Sequence, residues 1–270
     1  RIPVIHLHGG EVTEGAYDDI LRHAITKFST FHITATERYR QRVIQMGETP
    51  ASVFNWGAIG LDQLNRSTFL TVDELSECLH FPITGPYFVS TYHPATLADE
   101  DPAESVEAML SAFDHFKDHQ VIITYPNADD GNYRIKVCVM EYAARNPGRV
   151  LASHSLGHLP YLSALKHSRV VVGNSSSGII EAPSFQVPTV NIGDRQGGRL
   201  AAKSVVHCNA STDSIVAAID LALSGGYAEP GEVVVNPYGG GDVTSRIVEL
   251  LKTCQLSIRK QFFDLPESGL

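Results

Sequence analysis

The chain has 270 residues, of which 43% are apolar and 19% charged, with 30 acidic against 21 basic side chains and a formal charge of −9. This composition excludes disorder and can fill one large core or two modest ones. No apolar run approaches the roughly 18 residues that cross a bilayer, and the acidic balance argues against a nucleic-acid backbone binder, while leaving room for a small anionic ligand. The four cysteines, Cys78, Cys138, Cys208 and Cys254, lie far apart with no C-x-x-C pair, so neither a zinc site nor a disulfide framework is expected. The start has no signal-peptide pattern, so a cytoplasmic protein without membrane or nucleic-acid partners is expected.

Taken in chain order, a strand-like run at residues 3–7 is followed by helix-period residues 16–28, a strand at 31–35, a helix at 37–46 and a strand at 52–56. After a break come a strand at 87–91, a helix at 102–119, a strand at 121–124, a helix at 133–144, strands at 170–172 and 188–192, and helices at 212–223 and 243–251. Asp101 before Pro102, and Thr212, supply helix start signals. This alternation predicts an α/β fold with parallel sheets.

Gly57 and Gly60 close one strand-helix pattern, and Thr84, Gly85 and Pro86 announce a fresh strand. The expected division is residues 1–65 as the later part of a first Rossmann-like domain, 66–242 as a second, complete one, and 243–270 as a C-terminal helix returning to the first. Because the chain opens without Met on a strand-like run, the first domain is expected to be truncated at its N-terminus. Ligands of such sheets sit beyond the carboxyl ends of strands, so the polar residues that follow each strand are the candidates.

The densest cluster is Gly173, Asn174, Ser175, Ser176, Ser177 and Gly178, with Glu181 and Pro183 behind it, after the strand at 170–172. Small residues and N–H groups at a helix start suit a phosphate, with Glu181 on ribose hydroxyls; a plain serine-rich cap fits equally well. His6, His8, Gly9, Gly10 and Glu11 precede Tyr17, Asp18, Asp19, Arg22 and His23. His6 and His8 share a strand face, yet no third ligand at a metal-site spacing follows, so no metal is expected and His6 reads as a packed strand histidine. Asp18 and Arg22, four apart on a helix, suit an ion pair or a carboxylate oriented by a guanidinium. His93 and Pro94 follow the strand at 87–91, and Arg195 sits in a glycine-rich loop after 188–192. The pairs His115/His119 and His154/His158 read as surface or core-edge histidines.

In this order, His8-Gly-Gly-Glu11, Asp18-Asp19 with Arg22 to Lys27, His93-Pro94, Pro126-Asn127, Gly173 to Gly178 with Glu181, and Gly193-x-Arg195-Gln196 resemble the UDP-N-acetylglucosamine 2-epimerase family, in particular its hydrolysing branch of sialic acid synthesis. The resemblance runs to about residue 251. It implies a glycosyltransferase-B architecture of two doubly wound Rossmann-like domains, no cofactor, UDP-GlcNAc or a related UDP-sugar and UDP as ligands, and a homodimer or homotetramer. Carried over position by position, Ser175, Ser176, Ser177 and Gly178 match a diphosphate cradle, Glu181 the ribose carboxylate and Arg195 an arginine near UDP. Asp18 matches a catalytic carboxylate, His93 the active-site histidine, and Arg22 and Asn127 substrate-orienting groups. His8 stands where other branches carry a catalytic glutamate, so that duty falls to Glu11 or His8.

What the resemblance implies chemically is elimination of UDP to a 2-acetamidoglucal followed by hydration to N-acetylmannosamine. The expected base is Asp18 or Glu11, with His93, Arg195 and Ser175 stabilising the diphosphate. The alternatives are the same reaction on a UDP-diacetamido-trideoxyhexose for legionaminic-type sugars, a glycosyltransferase of the same architecture, and a nucleotide-sugar binder without catalysis. A further catalytic aspartate of the family is expected upstream of Arg1, so the 270-residue chain by itself is expected to bind UDP without turnover.

Overall fold

Strands covered on both faces favour unbroken β-branched runs over apolar/polar alternation, and β4 (Tyr87–Thr91) and β5 (Gln120–Thr124) are buried at every position. The structure, a computed structural model, describes residues 2–14, 17–94, 101–127, 132–239, 241–254 and 259–265. The chain divides into two units, Arg1–Arg66 with Pro237–Leu270, and Ser67–Asn236.

The first unit holds β1 (Ile5–Leu7), α1 (Asp18–Phe28), β2 (Phe31–Thr34), α2 (Glu37–Gln45), β3 (Val53–Asn55) and the short α3 (Asp62–Arg66). Its strands are parallel in the order β1-β2-β3. Residue 16, where the sequence starts the first helix, lies outside the described residues.

The second unit contains α4 (Val72–Leu79), β4, α5 (Pro102–Phe113), β5, α6 (Asn132–Arg145), β6 (Val150–Ser153), α7 (His158–His167), β7 (Val170–Gly173), α8 (Ser177–Ile180), β8 (Thr189–Ile192), β9 (Val205–Cys208) and α9 (Thr212–Ser224). All pairings of its six-stranded sheet are parallel, in the order β6-β5-β4-β7-β8-β9. Counted from β4 this is the 3-2-1-4-5-6 order of a doubly wound Rossmann sheet, whose topological switch point falls between β4 and β7. Phe88, Val106, Met109, Phe113, Ile123, Ile135 and Ile219 belong to one core cluster beneath α5, α6 and α9.

The helix expected to run to residue 119 stops at Phe113. The following turns still bring the rings of Phe116 and His119 onto Phe88, with centroids 5.7 and 4.6 Å away, so apolar spacing there reports core packing without helix. Elements absent from the sequence expectation are β6 and β9, edge strands with half-covered faces, α3, α4, and α7, whose buried residues run consecutively from Leu162 to Leu165 with no helical period. Asp101 caps α5 as expected, its carboxylate accepting the Ala103 N–H at 3.0 Å. Thr212 caps nothing: it is the first helical residue, and its hydroxyl donates to the Ala108 carbonyl.

The last crossing of the chain falls after Asn236, where the sequence reading put it after residue 242. The Asn236 amide donates to the Ile180 carbonyl at 2.8 Å within the second unit. In the first unit, the fully buried hydroxyls of Tyr238 and Tyr39 bond at 2.9 Å. From there α10 (Val243–Thr253) begins at Asp242, whose side chain does not cap it. Asp62 of α3 does so instead, accepting the N–H groups of Val243 at 3.0 Å and Thr244 at 2.6 Å. Burial would raise the Asp62 pKa, but these donors outweigh it and hold the carboxyl below its ordinary range. Residues 259–265 are tied to the same unit through Glu48, which is 1% exposed and meets Lys27 at 2.7 Å, Lys260 at 2.6 Å and His32 at 3.1 Å.

Among the described residues no helix is long and apolar enough to cross a membrane. Asp62→Ala strands the two helix-start donors and should lower stability by about 1–3 kcal/mol. The check is a reduced urea midpoint at unchanged slope; an unchanged midpoint would show that α10 does not depend on this cap.

Candidate active site

At the switch point β4 and β7 run side by side with Thr91 opposite Gly173. Gly173 has φ +144°, and a Cβ placed there would stand 2.1 Å from the Thr91 carbonyl oxygen, so only glycine fits. That contact brings Asn174 under the loop after β4. Its N–H donates to the Thr91 carbonyl at 3.1 Å. Its side-chain amide then brackets His93, Oδ1 accepting the His93 N–H at 2.7 Å and Nδ2 donating to the His93 carbonyl at 2.8 Å.

The orientation of the imidazole follows. The Asn127 backbone N–H donates to His93 Nδ1 at 3.1 Å, so the neutral ring carries its proton on Nε2. Burial, and then the nearby Arg195 charge, push the His93 pKa down to about 4. At neutral pH His93 is therefore an uncharged Nε2–H donor held in one orientation. Arg195 donates to the Asn174 carbonyl at 3.2 Å and Gln196 to the same oxygen at 2.8 Å, which binds the loop after β8 to the loop after β7.

Beyond these strand ends lies a cavity of about 320 Å³ lined by His93, Asn127, Ser175 and Ser177, together with Thr91, Thr124, Tyr125, Tyr161 and residues 154–158. Ser177 donates to Ser175 Oγ at 3.2 Å, and Tyr161 is hydrogen-bonded to Ser177. Of the expected UDP-binding residues, Ser175 and Ser177 line the cavity, while Ser176, Gly178, Glu181 and Arg195 are not among its lining residues. Gly178 is buried against β8, where a Cβ would come within 2.6 Å of the Thr189 side chain. The helix after Ser176 is a single turn, and Glu181 is its C-terminal cap. His154 and His158, read from sequence as surface or core-edge residues, line the cavity. Tyr161 is a further lining residue outside every candidate motif. Asn174 lies within the glycine-serine motif, whereas Tyr161 has no local signal because α7 brings it in from 14 residues upstream of Ser175.

A second cluster belongs to the first unit. His8 adopts φ +63°, and its Nδ1 meets Glu11 Oε1 at 2.7 Å, so the two candidates for one duty form a single pair. Glu11 is 1% exposed. Gly10, at φ +78°, lies so close to α2 that a Cβ would be 2.3 Å from the Tyr39 carbonyl oxygen, and Arg42 donates to the Gly10 carbonyl. The expected Asp18–Arg22 pair is not formed. Arg22 donates to the Thr13 hydroxyl at 2.7 Å and the Glu11 carbonyl at 3.3 Å, which turns its guanidinium toward Asp19 at 3.6 Å; Asp18 is exposed. Asp19 also accepts the Thr13 N–H at 2.8 Å. His6 is buried beside Thr26, and burial followed by the His32 charge lowers its pKa to about 4. Among the described residues no three His, Cys, Asp or Glu side chains form a metal-holding group.

A family model described as UDP-N-acetylglucosamine 2-epimerase matches residues 1–252. The chain belongs to the UDP-N-acetylglucosamine 2-epimerase family. The polysialic acid biosynthesis protein P7 of Escherichia coli is 37% identical over 99% of this chain and 68% of its own length. The GDP/UDP-N,N'-diacetylbacillosamine 2-epimerase (hydrolyzing) of Campylobacter jejuni is 36% identical over 76% of this chain and 54% of its own length. The chain thus spans about two thirds of the one relative and about half of the other. Among solved structures, UDP-GlcNAc 2-epimerase from Neisseria meningitidis bound to UDP-GlcNAc shares the fold, with TM-score 0.74, 18% identity, and coverage of 94% of this chain and 70% of that one.

In this member of the family the state of His93 is open to direct measurement. Its folded pKa lies below the ordinary value of 6.5, so the unfolded chain binds more protons between 6.5 and about 4, and His93's contribution to stability falls as pH drops through that window. An NMR titration should find the His93 Cε1–H signal at its neutral position down to pH 5. A midpoint near 6.5 would contradict the buried donor state.

Proposed function

We propose that this protein is a hydrolysing UDP-sugar 2-epimerase that converts UDP-GlcNAc and water to N-acetylmannosamine and UDP. The observation that carries this reading is the orientation of His93, an uncharged Nε2–H donor lining a cavity together with the Ser175 hydroxyl at the switch point. Such donors suit a diphosphate, on which charge grows as the C1–O bond breaks, and Glu181 and Arg195 extend the site to the ribose and the phosphates.

Loss of UDP from C1 with removal of the C2 proton yields a 2-acetamidoglucal; addition of water across its double bond returns the C2 proton on the other face and releases the free manno sugar. The base, by this reading, is the His8–Glu11 pair. Buried Glu11 fixes His8 through Nδ1, which leaves Nε2 to take the proton. The exposed Asp18 is then a secondary candidate for the same role. A second reading, supported by the 36% identical relative named for diacetylbacillosamine, keeps the chemistry and changes the sugar to a diacetamido-trideoxyhexose.

A polypeptide of the relatives' length that carries this chain should release UDP and N-acetylmannosamine from UDP-GlcNAc in equal amounts. Release from the diacetamido sugar alone selects the second reading, acceptor-dependent release makes the protein a glycosyltransferase, and binding without release refutes catalysis. Glu181→Ala should weaken UDP about 10- to 150-fold through loss of charge-assisted hydrogen bonds; equal affinity in a folded variant, measured by calorimetry, would remove Glu181 from the nucleotide site.

A further inference from the structure

The cavity is lined by the hydroxyls of Thr91, Thr124, Tyr161, Ser175 and Ser177, and the reaction gives Tyr161 no part of its own. Thr124 of β5 is hydrogen-bonded to Thr91 of β4. Tyr161 of α7, which lines the same cavity, is hydrogen-bonded to Ser177. Ser177 donates to Ser175 at 3.2 Å.

Proton bookkeeping gives the run a direction. A serine hydroxyl has one hydrogen, and that of Ser177 goes to Ser175, so the Tyr161–Ser177 bond is donated by Tyr161. Ser175 Oγ accepts from the Ser177 hydroxyl and, at 3.4 Å, from the Ser177 N–H. The Ser175 hydrogen is then directed to an acceptor in the cavity that Ser175 lines. An ionised oxygen accepts about twice as strongly as a neutral hydroxyl, so an anion in the cavity takes that hydrogen. Tyr161 is suited to the head of such a run because its burial raises the phenol pKa and keeps its proton in place. The chain of donors is also polarised in one sense, which strengthens the terminal bond.

We propose that Tyr161 is a positioning residue for the diphosphate, acting through Ser177 to turn the Ser175 hydroxyl outward as a donor to a phosphate oxygen. The inference rests on the UDP reading of this same cavity.

The test is calorimetry of UDP and of uridine on the 270-residue chain, its Tyr161→Phe and Ser177→Ala variants, and the double variant. Tyr161→Phe keeps the ring and removes the hydroxyl; UDP should weaken about 3- to 10-fold, the loss of one net hydrogen bond, with uridine affinity unchanged. Ser177→Ala should do the same, and the double variant should be no weaker than either single one, because both cut one relay. Wild-type affinity for UDP in Tyr161→Phe overturns the relay and leaves the functional reading standing, as do additive losses or an equal loss for uridine. A wild-type chain that binds UDP no better than uridine overturns the diphosphate reading and the relay together.

Discussion

The missing side chain of Gly173 is the constraint on which the second unit's chemistry depends. With no Cβ at that point, the end of β7 closes onto the Thr91 carbonyl of β4, and the next residue is delivered beneath the loop that follows β4. Asn174 then spends its side-chain amide on both backbone groups of His93 and its carbonyl on Arg195 and Gln196. One buried asparagine, through its side-chain amide and its backbone carbonyl, thereby joins the loops after three strands, and the orientation of the imidazole is a consequence of backbone approach.

The electrostatics of the site run against the bulk charge of the molecule. A chain of net charge −9 repels anions at long range, yet the cavity is lined by an imidazole and a serine hydroxyl that can donate, with a guanidinium anchored on the Asn174 carbonyl. Short-range donors held in place decide such a site, since overall charge governs approach more than contact. His93 contributes as a neutral group because protonation in its buried surroundings, beside Arg195, is unfavourable.

The first unit relies on buried carboxylates that are fully engaged. Asp62 faces two helix-start N–H groups, Glu48 faces two ammonium groups and an imidazole, and Glu11 faces His8. Removing one partner of such a group leaves an uncompensated buried charge, which is why these contacts specify where the returning segments dock even if they add little net stability. Tyr238, Val243 and Lys260 each meet a residue of the first 66 in this way or by a buried hydroxyl.

The sequence by itself determined the class of fold, the central strands β4, β5, β7 and β8, the helices α5, α6, α9 and α10, and the glycine-serine loop with its histidine, because strands buried on both faces and glycines at forced turns leave a local chemical record. Edge strands β6 and β9 left none, since half their surface is free of the selection that burial imposes. Nor did α7, buried along a consecutive run with no amphipathic stripe. Only the tertiary structure decided that Arg22 turns to Asp19 in place of Asp18, that His8 and Glu11 act as one pair, and that Tyr161, His154 and His158 line the same cavity as Ser175. Each of these depends on where a second element places a partner, and a helical spacing or a motif carries no information about that.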